Sequence, residues 1–271
     1  MNAVAQSLDA DRRGASLLAR AIETDRLYFE LGAEIEQLPG AVLAVMPGLG
    51  RSAGAAVIHR VDPEVVARLG DAWVQQTESA LREAGAGLAR IYMDECRGPA
   101  DDLLREAGYA EREELAFSGE LPDPPEEFTL RPVEGAADWE RKLELHQAIR
   151  TSPDGHPNDA REWVTLEQRK CDRGMEAYLA SVDDEIVGTV CAIVSGPMLR
   201  MKNVAVHPNF RRRSIGHSMI RALGLIGRQR GLTEQCVFAV AGDAGESFYR
   251  AAGMRVIGSQ VEWSKPLGEV R

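Results

Sequence analysis

Lysine is absent from the first 126 residues of this 271-residue chain, where 12 arginines face 23 acids for a net charge of −11. Nucleic-acid binding draws most of its affinity from phosphate contacts, so so acidic a segment argues against a nucleic-acid partner. Residues 127–271 hold 20 basic and 19 acidic residues, a net of +1. Any basic cluster there is local, and the acidity of the first half reads as a solvated surface. Cysteine is scarce. Cys96, Cys171, Cys191 and Cys236 form no CxxC pair and have no histidine at ligand spacing. This spacing sets aside structural zinc and a disulfide framework, and makes a reducing cytoplasm the expected compartment, with no metal. Long hydrophobic runs are missing too. The longest uncharged stretches, Gln37–Gly50 and Ile186–Leu199, have 14 residues each, against the roughly 20 that a membrane span needs. No membrane partner is expected, and MNAVAQSLDADRR has no apolar core of a signal peptide.

What is present suits two packed domains. Hydrophobic residues make up 44 % of the chain, which is ample for cores and excludes a disordered tail protein. Pro122, Pro124 and Pro125 crowd one short stretch. Proline supplies no N–H and restricts the residue before it, so 123–127 reads as a linker between domains 1–122 and 128–271. The second domain opens with a strand at Phe128–Val133. Helices follow over Ala136–Ile149 and Asp159–Cys171, flanking a polar loop, Thr151–Pro157, that carries His156. A hairpin is expected from Met175–Val182 and Glu185–Val194 around Asp183-Asp184. Leu199–Val206 alternates, with Leu199, Met201, Asn203 and Ala205 on one side and Arg200, Lys202, Val204 and Val206 on the other. A helix with an apolar stripe at Ile215, Met219, Ala222, Leu223 and Ile226 comes next. Strand Cys236–Val240, helix Ala244–Ala252 and a strand near Val256–Lys265 complete an α/β domain, a mixed sheet flanked by helices.

The chemistry falls at the turn Val206-His207-Pro208-Asn209-Phe210-Arg211-Arg212-Arg213-Ser214-Ile215-Gly216-His217. A strand ends, a short turn carries three arginines, and a helix begins. Exposed N–H groups and the positive end of the helix dipole make an anion site there. Gly216 lets backbone approach a diphosphate closely. Neither GxxxxGK[ST] nor GxGxxG is present, so the two common nucleotide fingerprints fail.

This stretch resembles the acyl-CoA pyrophosphate loop of the GNAT superfamily of N-acetyltransferases, Arg/Gln-x-x-Gly-x-Gly/Ala after a strand. Arg211 matches the first position and Gly216 the last, and Ser214 replaces the first glycine. Gly245-Glu246-Ser247-Phe248-Tyr249-Arg250-Ala251-Ala252-Gly253-Met254 is similar to the later helix of that family. The resemblance covers roughly Phe128–Lys265. It implies transfer of an acyl group, acetyl from acetyl-CoA by default, to a small-molecule amine or amino acid. Main-chain groups of Val204, Ala205 and Val206 would hold the pantetheine and the thioester carbonyl. Amides of Arg212, Arg213, Ser214, Ile215, Gly216 and His217 would cradle the diphosphate. Tyr249 would return a proton to the leaving thiolate. Strand Cys236–Val240 lacks the glutamate base of some members, and Gly242 stands where many carry asparagine. The base is open among Glu234, Glu176 and a water held by Asn203. His207 reads as a cap, Trp139 and Trp163 as core, and Cys191 and Cys236 as buried thiols.

The first half repeats the second at an offset of 145 residues. Val61-Asp62-Pro63 answers Val206-His207-Pro208, Ile91-Tyr92-Met93 answers Cys236-Val237-Phe238, and Leu103–Tyr109 answers Phe248–Met254. The chemistry is lost in that copy: Arg211, Arg212, Ser214, Gly216 and Tyr249 become Val66, Ala67, Leu69, Asp71 and Leu104. The expectation is a tandem pair, a degenerate GNAT-like domain without a cofactor site and then a catalytic one. A non-catalytic acyl-CoA-binding or regulatory protein is the alternative, and a related CoA chemistry such as decarboxylation stands behind it. Monomer and homodimer are both open.

Overall fold

A computed structural model of the chain describes residues 17–49, 54–94, 98–120, 122–125, 128–150 and 159–268. The first half forms helix α1 (residues 17–30), strands β1 (Glu34–Leu38), β2 (Ala41–Val45) and β3 (Ala56–His59), and helices α2 (Pro63–Leu69) and α3 (Asp71–Glu83). Strand β4 (Leu88–Met93), helix α4 (Pro99–Glu106) and strand β5 (Ala110–Ser118) complete it. The second half forms β6 (Thr129–Pro132), α5 (Gly135–Arg150), α6 (Ala160–Cys171), β7 (Glu176–Val182), β8 (Glu185–Ser195) and β9 (Met198–Val206). A 3-10 turn (Pro208–Phe210), α7 (Ile215–Gln229), β10 (Glu234–Val240), α8 (Ala244–Ala251) and β11 (Arg255–Pro266) follow. Each element read from the second-half sequence is present, with ends differing by a few residues. Cys96 and the loop Thr151–Pro157 with His156 lie outside the described residues.

The repeat holds element by element. Shifted by 145, α4 falls on α8, α3 on α7, β5 on the start of β11, and α1 on α6. The local chemistry repeats with it. Asp62 caps α2 by accepting from the N–H of Glu64 (2.9 Å) and Val65 (3.2 Å), with Pro63 in the first helical position. His207 caps the 3-10 turn in the same place, its Nδ1 accepting from Asn209 N at 3.3 Å, with Pro208 next.

Among the described residues eleven strands form one sheet, ordered β1-β2-β3-β4-β11-β5-β10-β9-β8-β7-β6. At its centre the halves exchange strands: β11 lies between β4 and β5, and β5 lies between β11 and β10. The register obeys the repeat. Cys236 faces Ser118 across β10 and β5, and the same offset carries that pair onto Ile91 and Trp263, which face each other across β4 and β11. In β5 and β11, the pairs Gln260–Glu114 and Ser259–Leu115 map onto one another, so a local two-fold passes between them. Strand pairing thus crosses the boundary expected at 123–127.

Side-chain alternation gives the sheet two unlike faces. On one, α2–α4 and α7–α8 cover two apolar cores: Trp73, Leu81 and Leu104 with Trp263 of β11 in one, and Met219, Leu223 and Tyr249 with Phe117 of β5 in the other. Burial of each Leu, Phe or Met of this kind contributes about 1.5–3 kcal/mol. On the other face, α1 crosses the junction, with Tyr28 and Phe29 packed on Ala44, Val57, Ala177 and Ile193 from both halves. Beneath α1 the sheet is charged. Asp25 accepts hydrogen bonds from Arg200 (2.6 Å), Lys202 (2.9 Å) and Gln260 (2.8 Å). Glu262 accepts from Arg90 (2.6 Å), Arg112 (2.6 Å) and Tyr92 (2.8 Å). From α6, Lys170 Nζ donates to Tyr28 O in the last turn of α1 (2.5 Å), where helix carbonyls lack intrahelical partners. Burial lowers the Lys170 pKa to about 7.

Candidate active site

The site begins with a break in the alternation of β9. Asn203 takes φ 54°, and the register against β8 slips between Thr189 and Cys191. The extra residue of such a bulge moves every later side chain to the other face. Leu199 and Met201 pack into the core under α7 and α8, and so do Val204 and Val206. This corrects the strict alternation read from the sequence, which grouped Val204 and Val206 with Arg200 and Lys202. A second feature opens the strand. β9 pairs with β10 only where Met198–Arg200 face Glu234–Cys236. The ladder then stops, so Met201–Val206 and Val237–Val240 border a gap in the sheet.

On the α7–α8 side of that gap, Val206, Arg211, Arg212, Ser214, Ile215, Gly216 and His217 line a cavity of about 390 Å³, joined by Phe210 and Phe248. Arg212 and Ser214 both take left-handed backbone (φ 61° and 60°), which curls the turn into the start of α7. Ser214 makes no side-chain cap, and the first intrahelical bond is Ser218 N to Ser214 O (3.0 Å). The amides of Ile215, Gly216 and His217 precede it, so the positive end of the helix opens on the cavity. Arg212 is exposed and makes no ion pair among the described residues, whereas Arg213 lies over the Phe210 ring at 5.2 Å. Gly216 has a packing reason beside the one read from sequence: a Cβ there would stand 2.9 Å from Cε2 of Phe248. His217 stacks on the same ring at 4.6 Å.

Tyr249 follows Phe248 on α8 but points into the core, 7 % exposed, against Phe117. Burial pushes its phenol up to about 12, with Arg200 pulling the other way. The structure therefore gathers seven of the predicted residues at one cavity, puts Val204 and Ala205 on the next stretch of strand, and sets Tyr249 beneath.

Val204 and Ala205 line a second cavity, of about 200 Å³, on the α5–α6 side, together with Asn203, His146, Ile149, Arg150, Ala160 and Trp163. Two of its lining residues, His146 and Asn203, reach a buried polar cluster behind it. Glu167, fully buried, lies 3.1 Å from Lys142 Nζ, accepts from Asn203 Nδ2 at 2.7 Å, and stands 3.6 Å from His146 Nε2. Burial works to raise the Glu167 carboxyl, but the Lys142 ammonium beside it holds it down at about 2. His146 and Glu167 escaped sequence reading. Lys142 and His146 share a face of α5 at i,i+4 spacing, but nothing in the chain links that face to Glu167 on another helix. Of the bases considered, Glu234 is tied to Arg20 (2.5 Å) and Glu176 to Arg230 (2.7 Å). Asn203 reaches the cavity wall.

In the first half the same places are filled. Val66–Leu69, answering Arg211–Ser214, form the body of α2 with Val66 fully buried, and Asp71 starts α3. Leu104 replaces Tyr249 in the core.

Residues 173–255 match the family model of the GNAT acetyltransferase domain. Comparison with curated protein sequences gave no significant match. Among solved structures, a GCN5-related N-acetyltransferase from Kribbella flavida superposes with a TM-score of 0.64 at 16 % identity, covering 94 % of this chain and 97 % of that one. One from Sphaerobacter thermophilus gives 0.61 at 20 %, covering 87 % and 83 %. A tandem GNAT protein from the clavulanic acid biosynthesis pathway gives 0.54 at 14 %, covering 85 % and 79 %. The family match is confined to residues 173–255, and over most of its length the chain has the fold of these structures, a tandem GNAT protein among them. Among the described residues no group of three or more His, Cys, Asp or Glu could hold a metal ion, and no helix is long and apolar enough to cross a membrane.

Proposed function

We propose that the chain is an acyl-CoA-dependent N-acyltransferase that moves acetyl from acetyl-CoA to a primary amine of a small molecule or amino acid, by direct attack, in a reducing cytoplasm. The observation that carries this reading is the cavity at the start of α7, where the first helix amides and an Arg212 with no ion pair among the described residues converge beside an opened sheet. Arg211, Arg212 and Arg213 with the amides of Ser214, Ile215, Gly216 and His217 take the diphosphate. The pantetheine runs along Val204, Ala205 and Val206, and a main-chain N–H there stabilises the oxyanion. Tyr249, kept protonated by burial, returns a proton to the thiolate, whose own basicity rises in the same dry surroundings. The first half serves as scaffold and carries no cofactor site.

The test is release of free thiol from acetyl-CoA with a panel of amines. Amine-dependent release, cut by Tyr249→Phe about 10²-fold or more, supports the reading. Calorimetry with CoA tests the turn separately: Arg212→Glu is expected to abolish binding, and equal binding by that variant removes the diphosphate site. A second reading, an acyl-CoA binder without turnover, is favoured by the ion pairs that occupy Glu234 and Glu176. Tight CoA binding with no amine-dependent thiol release selects it.

A further inference from the structure

We infer that His146, oriented by Glu167, is the general base that deprotonates the acceptor ammonium, and that the cavity it lines is the acceptor's place. This rests on the transferase reading above. The two cavities flank one strand: Val206 borders the diphosphate cavity, while Val204 and Ala205, next along β9, border the His146 cavity. A thioester held at Val204–Val206 is thus reached from the α5–α6 side by an amine lying against His146. The bulge at Asn203 makes this possible, because it turns Ala205 toward this cavity and ties Asn203 Nδ2 to Glu167.

His146 is 11 % exposed, and its Nε2 is buried with no hydrogen-bond partner among the described residues, 3.6 Å from Glu167 Oε2. A buried imidazole nitrogen left just beyond hydrogen-bond length of a carboxylate is an expensive feature for a purely structural histidine. It suits a base. The carboxylate selects the tautomer with the proton on Nε2, leaves Nδ1 as the acceptor, and stabilises the imidazolium once formed. Glu167 is ready for that role because Lys142, on the same helix as His146, keeps it ionised inside the protein, and Lys142 is itself fixed on Thr189 Oγ1 (2.5 Å). Other polar groups around the pair include Arg150 of α5, which pairs with Asp159 before α6 (3.4 Å), Asn203 of β9, the neutral thiol of Cys191 in β8, and Tyr28 of α1 and Cys171 of α6, both of which feel the Glu167 charge.

The step balances as follows. An ammonium gives one proton to His146 Nδ1. The nitrogen lone pair then forms the N–C bond at the thioester carbonyl, and the C–S bond breaks with its electron pair on sulfur. A second nitrogen proton reaches the thiolate through Tyr249, and His146 passes its proton to water. The products are an amide, the free thiol of CoA and one proton.

The test measures kcat/KM against pH for acetyl-CoA with alkyl amines of graded basicity, from ethylamine, charged at neutral pH, to trifluoroethylamine, largely neutral there. For His146→Gln the loss expected with ethylamine at pH 7 is about 10²–10⁴-fold, with acetyl-CoA affinity by calorimetry unchanged. With trifluoroethylamine the loss shrinks to a few-fold, since no proton need be removed before attack. Glu167→Gln is expected to reproduce the selective loss in weaker form, with its melting temperature recorded beside it because Lys142 loses its partner. Equal loss by His146→Gln for both amines, or none for either, overturns the base assignment and leaves the transferase intact. Absence of amine-dependent thiol release by the unaltered chain overturns the transferase reading, and this inference with it.

Discussion

The Phe248 ring lies so close over Gly216 that a Cβ on the glycine would stand 2.9 Å from Cε2 and 3.1 Å from Cζ. Real Cβ contacts of that length do not persist, and a ring edge has no flexible end to swing aside. Gly216→Ala gains helix propensity of about 1 kcal/mol but forces α7 and α8 apart at the cavity, an overpacking cost of about 1–3 kcal/mol. The expected outcome is a net loss of stability and weaker CoA binding. Adding Phe248→Leu, which removes the ring, is expected to restore the melting temperature of the alanine variant. A double variant no more stable than Gly216→Ala alone would refute the steric account.

Ser214 holds φ 60° without using its hydroxyl as a cap. Left-handed backbone costs a residue with a Cβ about 1 kcal/mol, and glycine escapes that cost. Ser214→Gly is therefore expected to raise the melting temperature by about 2–4 °C while CoA affinity holds. Arg212 shares the strain at φ 61°, so Arg212→Gly gains the same relief but loses its charge. Its CoA affinity is expected to fall. Together the pair separates backbone strain from charge, and a Ser214→Gly variant that melts lower contradicts the strain.

Much of this was readable in the chain because local rules decide it. The turn residues Asp183-Asp184, the proline after each cap at Pro63 and Pro208, and the apolar stripe of α7 each act within a few residues. The offset of 145 exposed the repeat for the same reason. Asn203 breaks the alternation that its neighbours suggest, since nothing adjacent to it signals a bulge; the slip goes with the long-range pairing to Thr189–Cys191 and the hydrogen bond to Glu167. The strand exchange was equally hidden. Periodicity makes β5 and β11 strands but says nothing of which neighbour each one meets. His146 reads as an ordinary helical histidine until α6 brings Glu167 beneath it.

The exchange of β5 and β11 predicts that the halves unfold together. β4 finds its partner in β11, and β10 finds its partner in β5, so removing either half strips a central strand from the other. Scanning calorimetry is expected to show one transition, with calorimetric and van't Hoff enthalpies in agreement. Deleting 255–271 is expected to abolish it rather than leave the first half folded. Two resolved transitions would show that the shared strands do not couple the cores.

Asp25 should matter more than any surface charge. It is 1 % exposed and is the carboxylate that faces both Arg200, also 1 % exposed, and Lys202. Asp25→Asn keeps the shape but leaves the buried Arg200 and the half-buried Lys202 short of their counter-charge, at a cost of about 3–5 kcal/mol. Acid should act in the same direction. Burial works to raise the Asp25 carboxyl, but Lys202 and Arg200 hold it below the ordinary aspartate value, so its contribution is full above about pH 3.9 and fades as pH falls toward the folded value. Glu167 and Glu262, both held at about 2 despite burial, have the same sign. Glu114 opposes them: burial and the nearby Asp25 charge raise its carboxyl, so it takes up a proton first and adds stability as it does. The unaltered protein is expected to lose melting temperature steeply between about pH 4 and 2, and Asp25→Asn to show a lower midpoint at pH 7 with a shallower acid slope. Parallel acid slopes for the two proteins would mean that Asp25 is not held ionised by its partners.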